Sequence, residues 1–200
     1  MALRRSGLTS QAGAILNRPV GRWAVWVLLI AVAALVIWLA RTIRIGVVVS
    51  DSMDPTLKRG DVYVIRIDAY GGGLPRRGDI VVVKRPENHE NIVKRVIAVE
   101  GDLVGVAFGQ AMVNGVWPKE PYIKRERLIR ERPVLTTVPD GELFLLGDNR
   151  NFSEDSRDIG TLKAERVLGR VDAIIHPWAR RKRLEHVELE VPEDPPERLW

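Results

Sequence analysis

The hydrophobic pattern changes once along the chain, from one long uncharged run to many short runs. Residues 23–40 read WAVWVLLIAVAALVIWLA and contain no charged side chain. A helix rises about 1.5 Å per residue, so this run covers roughly 27 Å, close to the hydrocarbon thickness of a bilayer. Its three tryptophans lie toward the two ends, where indole rings favour the membrane interface. We therefore predict a transmembrane helix over residues 23–40.

Two other interpretations of this run are less consistent with its length and flanks. A cleaved signal peptide has an apolar core of about 7 to 15 residues followed by a small-residue cleavage site, whereas this run is longer and is followed by Arg41 and Arg44. A buried core helix would need a large surrounding domain, but the remaining residues have the pattern of strands. Four arginines precede the run and two follow it. The positive-inside rule then predicts residues 1–22 as a basic cytoplasmic lead and the residues after the helix outside the cytoplasm.

Beyond the helix, short β-branched runs alternate with turn signals. Asn114-Gly115, between two valines, is the strongest hairpin signal because both turn positions require positive φ. Residues 119–137 have the composition of a charged connector, and residues 45–49 form a short apolar run. Many short strands separated by turns predict a mainly β domain, an antiparallel β-barrel or sandwich. The predicted strands span residues 61–67, 79–83, 91–99, 103–106, 142–146 and 167–175.

The end of the chain differs in composition from this β domain, which we place at residues 45–178. Residues 179–200 contain a basic run, Arg180 to Arg183, followed by acidic residues and prolines. We interpret them as a charged, solvated C-terminal tail. An alternative is contact between the basic run and anionic lipid headgroups.

Composition excludes several classes of site. The chain has no cysteine, which excludes a thiol nucleophile, a disulfide and a thiolate metal site. Residues 1–44 contain six arginines and no acidic residue, so the rest of a chain of net charge +5 is close to neutral. A nucleic-acid-binding domain would carry its positive charge on the folded part, so we do not predict nucleic acid as a partner. A Ser-His-Asp triad could use His89, His176 or His186, but each is predicted to lie at the surface.

A lysine in one predicted strand is a candidate for proton transfer. Lys94 shares a strand face with Ile92 and Val96, while Arg95 shares the other face with Val93. If the strand is half buried, one of the two cations points toward apolar surroundings. Burial lowers the pKa of a lysine, and such a lysine can accept a proton at neutral pH. The alternative is a lysine on an edge strand whose ammonium reaches solvent.

Four polar blocks follow the apolar run in a fixed order. They are SDSMDPTL at residues 50–57 with RGD at 59–61, RGDIVV at 77–82, VKRVI at 93–97 with GD at 101–102, and GDNRNFSEDSR at 147–157. Singly, such segments are also typical of surface loops. Together they resemble the bacterial type I signal peptidases, a family of membrane-anchored Ser-Lys endopeptidases. The resemblance covers residues 48–169, and a histidine would stand at the lysine position in archaeal and eukaryotic relatives.

The resemblance implies a role for each matching residue. Ser52 would be the nucleophile and Lys94 its general base, and Ser153 would orient Lys94. The Ser50 hydroxyl and the backbone N–H of Ser52 would bind the oxyanion. The family removes signal peptides from exported preproteins after small residues, at Ala-x-Ala sites, and needs no metal or cofactor.

Further expectations follow from the same resemblance. Asp155 and Arg157 would form a supporting ion pair, and the protein would cross the bacterial inner membrane once, with the catalytic domain on the extracytoplasmic side of the lipid bilayer. The substrate pockets for small side chains would be lined by Val48, Met53, Leu57 and Ile92.

Four positions depart from the pattern of the family. Val49 stands where proline is frequent, and residues 151–152 are Asn-Phe in place of Asp-Asn. Asp51 replaces a small or polar residue, and a carboxylate beside the nucleophile would hinder deprotonation of the lysine unless it points away. Two alternative functions stay open at this point: a specialised relative with one dedicated substrate, and an inactive membrane-tethered binding domain.

Overall fold

The structure is a computed structural model that describes residues 21–86, 90–123 and 133–193. The basic lead up to residue 20, His89 and most of the charged connector lie outside the described residues. The chain forms an N-terminal unit that ends at Arg41 and a β-rich domain that begins at Thr42.

The N-terminal unit contains one helix, α1, which spans Arg22–Thr42. It begins one residue before the predicted run and ends two residues after it. In the part of the chain that the structure describes, it is the only helix that is long and apolar enough to cross a membrane. Its large apolar side chains are exposed, from Trp23 to Leu39, so the helix has no protein core of its own to bury them.

The β-rich domain consists of two antiparallel sheets. The strands are β1 (Ile43–Val47), β2 (Val62–Arg66), β3 (Ile80–Lys84), β4 (Asn91–Val99), β5 (Leu103–Ala107), β6 (Gln110–Val113), β7 (Val134–Thr137), β8 (Glu142–Leu146), β9 (Leu162–Lys163), β10 (Val167–His176) and β11 (Lys182–Arg183). The larger sheet has the strand order β1-β2-β10-β3-β4-β8-β9, with β11 paired to β10, and the smaller sheet has the order β6-β5-β7. A short helix, α2, spans Ser156–Ile159 after β8. The predicted mainly β, antiparallel fold is confirmed.

The small sheet differs from the sequence prediction in two respects. Asn114 and Gly115 do have positive φ, 50° and 81°, but their turn closes only a single bridge between Val113 and Val116. The longer β5–β6 hairpin turns at Phe108 and Gly109, whose φ angles are 51° and 72°. An aromatic residue is uncommon at positive φ, which hides this turn from sequence reasoning. The interpretation of residues 119–137 as a connector was also wrong at its end, since β7 lies there and pairs with β5.

Three hydrophobic clusters fill the domain. Two of them pack against the serine segment and the strand that carries Lys94. The first cluster lies between β2, β3 and β10 and includes Val48, Met53 and Leu57 from the segment that carries the serines. The third cluster lies on the face of β3, β4 and β8 that contains Val81, Val83 and Val96. Because side chains alternate along a strand, Lys94 shares its face with Val96.

The C-terminal segment packs against the domain as far as it is described, so the expectation of a solvated tail was wrong for residues 179–193. β11 pairs with β10, Leu184 packs on the first cluster, and Leu189 is 6% exposed. Arg180 donates from Nε to Asp61 Oδ1 at 2.9 Å. The physical reason is an alternation of apolar and charged residues that buries one side of the segment, with Val191 packed against the second cluster.

Candidate active site

The segment that carries Ser50 and Ser52 is the connection between β1 and β2. It leaves the sheet after Val47, which pairs with Val62, and its base is closed by hydrogen bonds from Val48 N to Asp61 O and from Gly60 N to Val48 O, each 2.9 Å long. The hydroxyl oxygens of Ser50 and Ser52 lie 3.2 Å apart. Ser52 is 7% exposed, so its hydroxyl lies at the edge of the core.

The loop after β8, residues 147–155, packs directly against this serine segment. Asn149 N donates to Ser52 O at 3.0 Å, and Asn149 Nδ2 donates to Asp51 O at 3.1 Å. Gly147 makes the close approach possible, because a methyl group on its Cα would lie 2.5 Å from Ser52 O and would overlap the Ser153 side chain. The structure therefore brings Ser52 and Ser153 to the same glycine.

Lys94 is buried in the middle of β4, with 4% of its surface exposed. Burial lowers the pKa of Lys94 to about 8, an effect that the negative charge of Asp155 opposes and the positive charge of Arg85 reinforces. The desolvation expected from the strand pattern is therefore present. An ammonium with this pKa exists partly as the neutral amine near pH 8, and only the neutral amine can accept a proton.

Asp155 is the carboxylate whose charge acts most strongly on Lys94, and its own partners are fixed. Gly147 N donates to Asp155 Oδ2 at 3.0 Å, and Arg157 donates to both carboxylate oxygens at 2.8 Å. Burial alone would raise the pKa of Asp155, but these bonds, with a contribution from the Ser153 hydroxyl, hold it below its ordinary value. The predicted Asp155–Arg157 ion pair is thus present, and Asp155 also caps α2.

A second ion pair links all three candidate segments, and sequence reasoning gave it no role. Arg95 donates from Nε and Nη2 to the two oxygens of Asp148 at 2.9 and 2.8 Å. Thr56 of the serine segment donates its hydroxyl to the same carboxylate. Burial opposes the charge of Arg95, but Asp148 raises its pKa, and the guanidinium lies 3.7 Å from the ring centroid of Tyr122. One feature of the sequence could have indicated this pair. Two adjacent cations in one β-branched strand point to opposite faces, so each needs its own surroundings in the core.

A third buried pair supports the loop after β8 from the small sheet. Arg150 donates to both oxygens of Glu120, to Gly109 O at 2.6 Å and to Gly147 O at 3.0 Å. Tyr122 donates its hydroxyl to Glu120 at 2.9 Å. Satisfied buried networks of this kind rigidify their surroundings. The loop that carries Ser153 and contacts Ser52 is therefore held on both sides.

Comparison with known proteins gives this arrangement a context. The sequence profile of the family described as signal peptidase, peptidase S26, matches residues 20–178, which is most of the chain. The chain belongs to the signal peptidase family. The resemblance read from the four sequence blocks is confirmed.

Individual signal peptidases show the same relationship. Signal peptidase IB of Staphylococcus aureus is 30% identical over 175 residues, covering 78% of this chain and 91% of its own length. A probable signal peptidase I-2 of Synechocystis is 38% identical over 135 residues, covering 64% of this chain and 60% of its own. A crystal structure of a signal peptidase I from Enterococcus faecalis has 33% identity and a TM-score of 0.42, covering 48% of this chain and 95% of that one. As a member of this family, the chain is a peptidase.

Asp51, the unusual acidic residue beside the candidate nucleophile, points away from the candidate base. Its carboxylate pairs with Arg59, with Oδ2 and Nη2 3.2 Å apart, and both side chains are more than half exposed. Asp51 is not among the charges that act most strongly on Lys94. The other departures from the family pattern, Val49 and Phe152, are exposed by 74% and 60%.

The four predicted pocket residues do not lie in one hydrophobic cluster. Val48, Met53 and Leu57 belong to the first cluster, and the last two are 1% and 0% exposed. Ile92 is partly buried and packs against the third cluster. A pocket role for these residues remains a prediction, and contact of Met53 or Leu57 with a substrate would require their surroundings to open.

The described histidines are exposed, as predicted. His176 is at the end of β10, and His186 Nδ1 lies 3.0 Å from Asp79 Oδ1 of the second block. Among residues 21–86, 90–123 and 133–193, no group of three or more His, Cys, Asp or Glu residues could hold a metal ion.

Proposed function

We propose that this signal peptidase family member is a membrane-anchored serine endopeptidase that removes N-terminal signal peptides from exported preproteins after small residues. Ser52 is the nucleophile and Lys94 the general base. The observation that carries the proposal is the burial of Lys94, which lowers its pKa to about 8, on the strand next to the loop that contacts Ser52. A lysine that loses its proton this readily is suited to activate a hydroxyl.

The chemistry proceeds in two halves. The neutral amine of Lys94 takes the proton of the Ser52 hydroxyl, and Oγ attacks the carbonyl carbon of the scissile peptide. The carbon–nitrogen bond breaks, the leaving amine receives the proton from the Lys94 ammonium, and an ester to Ser52 remains. Lys94 then takes a proton from a water molecule as its oxygen attacks the ester carbonyl. The ester bond breaks, Ser52 Oγ receives the proton from the Lys94 ammonium, and the signal peptide leaves with a C-terminal carboxyl group that ionises.

The oxyanion of each tetrahedral intermediate needs hydrogen-bond donors. The Ser50 hydroxyl, 3.2 Å from Ser52 Oγ, and the backbone N–H of Ser52 are the candidates. A donor of this kind contributes roughly 3 kcal/mol to stabilisation of the transition state. Ser153, against Gly147, is proposed to orient the Lys94 amine, and Asp155 with Arg157 holds the loop that carries it.

Helix α1 supplies the anchor in this proposal. Its 21 residues span about 31 Å at 1.5 Å per residue, and the arginine distribution along the sequence favours an extracytoplasmic position for the β-rich domain. The protein would therefore reside in the bacterial cytoplasmic membrane, with the lipid bilayer and emerging signal peptides as its partners. Confinement to the membrane raises the effective concentration of the substrate.

The test is cleavage of a purified preprotein with an Ala-x-Ala site by the full-length protein in detergent. Wild type, Ser52→Ala, Lys94→Ala and the control Lys84→Ala are compared, with the cleavage site determined by mass spectrometry and folding checked by thermal unfolding. We expect cleavage by wild type and Lys84→Ala only. Near-normal cleavage by a folded Ser52→Ala or Lys94→Ala protein would refute the assignment, and cleavage of only one among many unrelated preproteins would identify a specialised enzyme.

A further inference from the structure

An ion pair to which the family resemblance assigns no role connects the residue after β3 to the residue that follows Ser153. Arg85 donates to both oxygens of Glu154, from Nη1 at 2.8 Å and from Nη2 at 3.0 Å. A bidentate pair fixes both the distance and the relative orientation of its partners. Glu154 stands between Ser153 and Asp155, so this pair ties the loop at the candidate base to the sheet.

Strand register places Arg85 on the same face of the sheet as Lys94. Val81 pairs with Lys94, and Val83 pairs with Ile92. Directly paired residues share a face, and so do residues two apart. Arg85 follows Val81 and Val83 at this spacing, and its N–H donates to Glu90 O at 2.9 Å, which continues the antiparallel pairing.

The two charges of the pair differ in their exposure to water. The Arg85 side chain is 15% exposed and the Glu154 side chain 59% exposed. Solvent screens the carboxylate more than the guanidinium. In agreement with this, Arg85 has the larger influence of the two on Lys94, and it favours the neutral amine while Glu154 favours the ammonium.

We propose that Arg85 and Glu154 are positioning residues: their bidentate pair holds the loop that carries Ser153 against the sheet, with two opposite charges on the face that carries Lys94. The other charges that face Lys94 come from the start of α2, namely Asp155 and Arg157, and these are committed to each other. Arg95, the remaining cation on β4, lies on the opposite face and pairs with Asp148. The Arg85–Glu154 pair is therefore the part of the environment that can be altered without breaking a buried ion pair.

The inference rests on the proposed function, because it assigns a role relative to Lys94 as the base. Its test is the pH dependence of kcat/KM for preprotein cleavage by full-length protein in detergent, with Arg85→Gln, Glu154→Gln and Arg85→Lys. Arg85→Gln should move the acid limb to higher pH, and Glu154→Gln should move it to lower pH. At pH 7, where a group with a pKa of about 8 is mostly protonated, each shift corresponds to roughly a twofold change or more in kcat/KM, downward for the first variant and upward for the second.

The conservative variant and the controls separate charge from structure. Arg85→Lys keeps the charge but loses the bidentate geometry, so its limb should stay at the wild-type pH while its maximal rate falls. Lys163→Gln and Glu165→Gln remove the two charges of an exposed pair elsewhere on the domain and should leave the limb unchanged. Unfolding midpoints establish that each variant is folded.

Two outcomes would overturn the inference. If both glutamine variants lose activity without any shift of the acid limb of kcat/KM, the pair has only a structural role. If the acid limb moves in the same direction in both variants, opposing charge effects are excluded. If Ser52→Ala and Lys94→Ala abolish cleavage while the limb never moves, only this inference fails. If those two variants retain activity, the proposed function fails first.

Discussion

Replacement of Lys94 by methionine should stabilise the fold while abolishing catalysis. Methionine has a similar length and no charge, so it can occupy the same space beside the third hydrophobic cluster. The lysine is 4% exposed, and among the described residues no carboxylate forms an ion pair with it. Burial of an unpaired ammonium costs free energy, and the methionine variant removes that cost.

The magnitude follows from the pKa. Burial lowers the pKa of Lys94 from 10.5 to about 8. At 1.36 kcal/mol per pH unit, this difference corresponds to a destabilisation of about 3 kcal/mol at neutral pH. Between pH 8 and pH 10.5 the unfolded chain binds the proton more tightly than the folded protein does, so stability rises with pH in this window. Below pH 8 the full cost is present, and above pH 10.5 it vanishes.

The assay is urea unfolding of full-length protein in detergent at a series of pH values from 7 to 11. Other groups also titrate in this range, so the informative quantity is the difference in unfolding free energy between Lys94→Met and wild type. We expect the variant to be more stable by about 3 kcal/mol at pH 7, with the difference shrinking toward pH 10.5. The control is Lys84→Met, at an exposed lysine on the neighbouring strand, which should change stability little.

The reasoning fails if the difference in unfolding free energy between Lys94→Met and wild type does not depend on pH, because that difference would then not come from the proton of Lys94. It also fails if Lys94→Met is less stable than wild type at pH 7. That result would mean that the ammonium has favourable partners when folded, and a lysine stabilised in its charged form is a poor base.

Four other predictions can be checked with the same protein. The kcat/KM of wild type should rise with pH to a plateau above about 8, as expected from the pKa of Lys94, and a plateau already reached at pH 6 would contradict it. Gly147→Ala should lower kcat roughly a hundredfold or more because it displaces reacting groups. Gly105→Ala should cleave nearly normally, because its closest contact is the flexible end of Met112 at 3.1 Å and its other contacts are ordinary. Asp148→Asn should cost about 3 kcal/mol in urea unfolding because it leaves a buried arginine uncompensated. Leu189→Ala should cost about 2 kcal/mol, and no change would mean that the C-terminal segment does not contribute to the core.

Sequence reasoning succeeded where the information is local. β4 and β8 have the bounds read from their β-branched and apolar runs. It failed for the C-terminal segment, whose charged residues dominate the composition. Val187, Leu189 and Val191 alternate with glutamates there, and this period of two is the signature of a half-buried extended segment.

The residues of the candidate site also fall into two groups, those indicated by local sequence and those that only the fold brings together. Ser52, Lys94 and Ser153 stand in segments whose residue order indicates the chemistry. The Arg95–Asp148 pair joins residues 53 positions apart, and Thr56 reaches Asp148 across 92 positions. Such pairings are decided by how the sheet folds, and no local pattern contains that information. The Arg85–Glu154 pair, 69 positions apart, was missed for the same reason.

The candidate base, Lys94, and its neighbour Arg95 differ in their hydrogen-bond partners and not in their burial. Lys94 and Arg95 are adjacent on β4, and both are almost completely buried. Arg95 points to the face where Asp148 accepts two of its hydrogen bonds, and its pKa is raised. Lys94 points to the face where the carboxylate that acts most strongly on it, Asp155, already accepts two hydrogen bonds from Arg157, and burial lowers the pKa of Lys94. The alternation of one strand thus produces a permanent cation on one side and a titratable amine on the other, and the amine faces the loop that carries Ser153.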